Sequence, residues 1–144
     1  MRNQRSFDAA RSTAQAFGVL AGLGGLVHGI GEVLQGNVKP DGLIIESWTK
    51  GPIATNMGGE PGMTIVPNLR ITGILTIVIS LTLAVQALRT RDRKDGHTLL
   101  ALSIAMLLTG GGFGPPIIGI LAGIAGTKIG APPSWWYKRL PDDA

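Results

Sequence analysis

Gly18-Val-Leu-Ala-Gly22-Leu-Gly-Gly25-Leu-Val-His28-Gly29-Ile-Gly-Glu32 has the spacing of a membrane-crossing helix with one close-packing face. At about 100° per residue, Gly18, Gly22, Gly25 and Gly29 fall in one narrow stripe, with Glu32 at its edge and His28 a little further round the same side. The opposite side is aliphatic: Leu20, Leu23, Val27, Ile30 and Leu34. Lipid suits the second face, and the backbone of a neighbouring helix suits the first. The apolar run, placed at about residues 15–35, exceeds the roughly 7–15 residues of a signal-peptide core, and no small-x-small cleavage site follows before Gln35. It therefore reads as a retained span.

Composition agrees with this. The chain has 144 residues, 22 glycines and 15% charged residues, with mean hydropathy +0.29, whereas a water-soluble domain carries about a quarter charged residues. With no cysteine, disulfides, thiol catalysis and cysteine-held metals are excluded. The sequence pI is near 10.0, but the basic residues sit in short segments beside apolar runs, which is the pattern of membrane topology and not of a nucleic-acid interface.

Working outward from the first span, residues 36–67 form a long loop broken by Gly and Pro. Asp41 is expected to cap a helical turn that ends at Trp48, with the indole anchored at the headgroup level. A loop of this length is the expected lid or docking surface. The second span is expected at 68–89, with Thr72, Thr76 and Ser80 on one side and Ile74, Ile77 and Leu81 on the other. Residues 89–97 are a basic inner turn. Two shorter helices, at 96–111 and 115–131, share the turn Gly110-Gly-Gly-Phe-Gly-Pro-Pro116, and the prolines suit the first turn of the second of them. Residues 132–140, with Trp135, Trp136 and Tyr137 ahead of Lys138 and Arg139, read as an interface anchor.

An internal match accompanies this pattern. Gly119-Ile-Leu-Ala-Gly123-Ile-Ala-Gly126-Thr-Lys-Ile-Gly130 shares six of twelve positions with residues 18–29. Gly119, Gly123, Gly126 and Gly130 repeat the steps of four, three and four, so the first and fourth spans are expected to touch along their glycines. The expected fold is all-α and polytopic: four transmembrane helices arranged as two hairpins in a glycine-packed bundle. With both termini cytoplasmic, ten Lys and Arg lie inside and three (Lys39, Lys50, Arg70) outside, which satisfies the positive-inside bias.

His28 and Glu32, four residues apart, can meet on one helical face and share or relay a proton, with Thr72, Thr76 and Ser80 lining the same polar interior. The blander alternative puts Glu32 at the headgroups and gives His28 a helix neighbour as its partner. No metal site is expected, because the other histidine, His97, lies in the inner turn. No cofactor is expected, and the glycine run 110–114 lacks the Gly-Lys-Ser/Thr of a phosphate loop.

The stretches His28-Gly-Ile-Gly-Glu-Val-Leu-Gln-Gly-Asn37 and Gly110-Gly-Gly-Phe-Gly-Pro-Pro-Ile-Ile-Gly119 resemble those of a group of small prokaryotic membrane proteins with no assigned activity. The resemblance covers most of residues 15–130. It implies a four-helix integral protein of the cytoplasmic membrane and supplies no functional residue. The expected function is non-enzymatic: helix packing in the lipid bilayer, as a homo-oligomer or an accessory subunit of a membrane complex, with no nucleic-acid partner. A small proton-linked transporter or channel-like protein using His28 and Glu32 is the alternative. A lipid-acting enzyme using Asp41, Glu46 or Glu60 with His28 is the distant one.

Overall fold

The computed structural model describes residues 8–48 and 59–131. These residues form α1 (Ala9–Gln35), β1 (Ile44–Ser47), β2 (Glu60–Met63), α2 (Leu69–Arg89), α3 (Arg93–Leu108) and α4 (Gly114–Gly126). The chain is all-α with one small hairpin added. Two helices are long and apolar enough to cross a membrane: α1, with 27 residues, and α2, with 21 residues. The other two have 16 and 13 residues, about 24 and 20 Å of helix.

Local chemistry moves several boundaries from their expected places. α1 starts at Ala9 because Asp8 caps it, accepting from the Arg11 N–H at 3.2 Å, so part of the basic arm is helical. α3 starts at Arg93, where Asp92 and Asp95 form a reciprocal capping box. The Arg91 N–H, donating at 2.7 Å, chiefly holds the half-buried Asp95 carboxyl below the usual carboxylate range. That stabilisation is present above the ordinary carboxylate pKa and is lost as pH falls through the lowered one. α4 ends at Gly126, and residues 127–130 form turns. The helical turn expected to end at Trp48 is instead strand β1, paired antiparallel with β2 in the register Ile45 to Gly62 and Ser47 to Glu60. Two adjacent β-branched isoleucines favour this extended form. The aromatic anchor Trp135, Trp136 and Tyr137 lies outside the described residues.

The helices form a ring in which α1 touches α2 and α4, and α3 touches the same two. Side-chain size sorts by direction. Leu20, Leu23, Ile74, Val78, Leu81 and Leu121 point outward, whereas Ala14, Ala21, Thr72, Thr76, Ser80 and Ala122 are buried. Apart from Leu83, Leu99 and Met106, the buried side chains are mostly small or polar, and the exterior is large and aliphatic, unlike a water-soluble bundle.

Glycines set the helix spacing. A Cβ at Gly22 would stand 2.7 Å from the Ser80 carbonyl, and one at Gly29 would stand 2.9 Å from the Gly73 carbonyl, so α1 and α2 meet backbone to backbone. Gly18 faces Ala87, and Gly25 faces Ser80 and Met106. On α4, Gly119 meets Ser103, Gly123 meets Leu100 and Gly126 meets Gly96, all on α3, while Gly130 lies in open space. The contact between α1 and α4 thus differs from the expected glycine-to-glycine seam. It runs through alanines: a Cβ at Gly18 would lie 3.8 Å from Ala122, and one at Gly119 would lie 3.4 Å from Ala21.

Gly73 is among the tightest positions, and its neighbours are backbone: an added Cβ would meet the Gly29 carbonyl and stand 2.6 Å from the Val33 amide nitrogen. Gly73→Ala is expected to cost about 1–3 kcal/mol or more by prising α1 from α2. Gly114→Ala, where a Cβ meets nothing within 4 Å, is expected to stay within about 0.5 kcal/mol of wild type. Thermal unfolding in detergent measures both, and equal effects would contradict the close approach.

Candidate functional site

The polar site forms where the hairpin closes over one end of the bundle. The Val38 carbonyl accepts from the Leu69 N–H at 2.9 Å, and Asn68, the N-cap of α2, donates to Asn37 at 2.5 Å. β2 continues into backbone bonds with the α3–α4 turn: Gly110 N–H donates to the Met63 carbonyl at 2.8 Å, and Ile65 N–H to the Leu108 carbonyl at 3.0 Å. Strand alternation turns Ile45 and Ser47 inward and Ile44 and Glu46 outward. Ser47 therefore arrives over the last turns of α1.

There it completes a string of side chains. The Ser47 hydroxyl donates to Glu32 Oε1 at 2.5 Å, and Gln35 Nε2 donates to Glu32 Oε2 at 2.7 Å. His28 Nδ1 lies 3.2 Å from Ser47 Oγ, and His28 Nε2 lies 2.9 Å from Glu60 Oε2. Glu32 is 0% exposed, whereas the Glu60 side chain is 60% exposed. The string thus runs from the surface to a fully buried carboxyl group. His28 and Glu32 come together as neighbours of Ser47, not through the direct contact that their four-residue spacing suggests.

Two turn glycines make room for it. Gly110 and Gly112 have φ of 89° and 73°, which side-chain-bearing residues rarely adopt. A Cβ at Gly112 would stand 2.5 Å from the imidazole, and one at Gly110 would stand 3.7 Å from the Glu32 side chain. The glycine run thus serves as the backbone wall of the polar site. Trp48 also departs from expectation. Its ring is buried, 5% exposed, against Gly31, and its φ is 62°. The indole clamps the end of β1 to α1.

Hydrogen counting constrains the chemistry. Glu60 to His28, His28 to Ser47 and Ser47 to Glu32 are three contacts in series, each needing one hydrogen. A neutral imidazole and a hydroxyl supply two between ionised carboxylates. Closing all three contacts therefore takes one further proton, which leaves the string with a net charge of −1. Ser, His and an acid also compose a nucleophile constellation. Here, however, Ser47 is fully buried and its hydroxyl is aimed at Glu32, so it links two groups and faces no substrate.

Thr72, Thr76 and Ser80 are buried on α2 but satisfied elsewhere. Thr72 pairs with Thr64 at 3.0 Å, Thr76 donates to the Thr109 carbonyl, and Ser80 donates to Met106 sulfur at 3.2 Å. Among the described residues no buried side-chain polar atom is without a partner, and no group of three or more His, Cys, Asp or Glu is placed to hold a metal ion. In the sequence Glu60 reads as a loop acid, set beside His28 only in the lipid-acting alternative, and Ser47 carries no signal beyond its alternation with Ile45. No family model, curated protein or solved structure matches this chain.

Ser47→Ala removes the partner of both Glu32 and His28 inside a site closed to water. It is expected to cost about 1–3 kcal/mol and to raise hydrogen exchange across β1. Ile44→Ala, on the outward side of the same strand, is expected within about 0.5 kcal/mol of wild type. Identical exchange in the two variants would show that the string does not hold the hairpin.

Proposed function

We propose that this is a non-enzymatic, multi-pass protein of a prokaryotic cytoplasmic membrane whose working part is a proton-linked site under the outer hairpin. The observation that carries the reading is the hydrogen-bonded string from exposed Glu60 through His28 and Ser47 to buried Glu32. Membrane residence is supported by the outward aliphatic faces of α1 and α2 around a polar interior. It is further supported by Arg89, Arg91, Arg93 and Lys94 gathering at the end opposite the hairpin. In this reading α3 and α4 also cross, with the bilayer thinned around their shorter length. The seam glycines within the helices pack inside the chain, so they offer a second copy or an accessory partner little free surface. The site is therefore the better candidate for function than the seam.

Topology is testable because the chain has no cysteine. Gly42→Cys is expected to react with an impermeant maleimide on intact cells, and His97→Cys only after permeabilisation. Labelling of both from one side would remove the crossing arrangement.

The string itself predicts a pH response. Raising pH withdraws the extra proton and breaks one contact, loosening the hairpin, and Trp48 emission in a Trp135→Phe, Trp136→Phe chain reads this out. Among the described residues, the other groups facing the string from its neighbours are uncharged: Thr72 from α2 and Gly110 and Gly112 from the turn, while Glu46 on β1 points outward. In Glu60→Gln the amide supplies the missing hydrogen to His28, so the hairpin is expected to stay docked across the range. The same titration in wild type and Glu60→Gln would sink the proposal.

A further inference from the structure

Beside the string lies a lateral groove of about 540 Å³ between α1, β2 and the start of α4. Leu20, Gly24 and Val27 line one wall, Pro115 and Ile118 the other, and His28 with Glu60 form its polar end. From Leu20 to His28 the wall spans eight residues, about 12 Å along the helix. Leu20 and Val27 are outward-facing, so in a bilayer the groove opens sideways into the acyl region. Its floor is set by Gly24, where a Cβ would stand 2.9 Å from Pro115 Cγ.

Charge selects the occupant. Glu60 gives Oε2 to His28 and is otherwise largely exposed, so its carboxylate is open to a donor at the groove's mouth. Two carboxylates and one extra proton leave the string with a net charge of −1 wherever along it that proton sits. An anionic head is therefore repelled, and an ammonium head gains a charge-assisted hydrogen bond. We propose that the groove is a site for a membrane lipid with a primary-ammonium head, one acyl chain lying along Leu20–Val27 and the ammonium on Glu60. This rests on the membrane reading above and adds to it the ligand class of the same site.

Native mass spectrometry of the full chain, in detergent with phosphatidylethanolamine or phosphatidylglycerol of identical acyl chains, tests it. Wild type is expected to retain the ethanolamine lipid about tenfold better, the scale of one charge-assisted bond. Glu60→Gln, which keeps the hairpin docked, is expected to bring the two lipids to parity. Val27→Trp, which lays a large ring across the groove, is expected to lose the bound lipid. Leu23→Trp, on the outward face away from the groove, is expected to bind as wild type does. Equal retention of both lipids by wild type, or undiminished binding to Val27→Trp, overturns the groove site. Either result with the Trp48 titration intact leaves the proton-linked latch standing. A lost titration with the lipid preference retained strikes the latch and supports the groove.

Discussion

A carboxyl group with no access to water has to find donors, and in this chain that demand falls on Glu32. Burying it among apolar neighbours without partners would cost several kcal/mol. Gln35 supplies one hydrogen from the same helix, and the second comes from Ser47. Because Ser47 sits on β1, the bond holds only when the loop after α1 folds back and pairs β1 with β2. The hairpin, its seat on the α3–α4 turn and the approach of Glu60 to His28 all follow from satisfying that one buried group. The loop after α1 is therefore part of the bundle's polar end and not merely a connector between helices.

The room for this arrangement comes from the glycines. Where α1 and α2 meet at Gly29 and Gly73, helix backbones touch, and small hydroxyl residues fill the narrow interior between them. Gly110 and Gly112 extend the same economy to the turn, where positive φ values bring the backbone against Glu32 and His28. Large aliphatics are displaced to the outside, where lipid in place of water would receive them. Packing and the site are thus one design problem: only a bundle this thin at its centre leaves a groove beside α1 that reaches a polar end.

What was legible in the sequence is what repeats with helical period. The glycine stripe of α1, the Thr72–Thr76–Ser80 face and the proline start of α4 each follow from local spacing, and two of the helices are long and apolar enough to cross a membrane. The site was only half legible. His28 and Glu32 stand out because ionisable residues are rare in such helices, but their partners come from β1 and β2, through pairing that no local pattern encodes. Leu43-Ile-Ile-Glu-Ser-Trp48 carries an apolar pattern that fits a helical turn or a short strand, and the tertiary contacts of Ile45 and Ser47 decided for the strand. Ser47, a lone serine in a loop, offers almost nothing to read.

The site is also one-sided, and the reason is physical. Beyond Glu32, each interior polar group closes on a near neighbour: Thr72 on Thr64, Thr76 on Thr109, Ser80 on Met106, and Ser103 on the Leu99 carbonyl. Toward the basic end the interior is sealed by Leu83, Ala87 and Ala14, all fully buried. Conduction needs polar groups that hand a proton onward, whereas these are satisfied pairs separated by apolar side chains. Among the described residues, a proton entering at Glu60 has a hydrogen-bonded course as far as Glu32, whose other partner, the Gln35 amide, leads back toward the hairpin at the Glu46 carbonyl. For the proposed proton-linked site, that geometry argues for latching at the hairpin end over passing protons through. It also explains why the polar end, the hairpin and the lateral groove meet at His28.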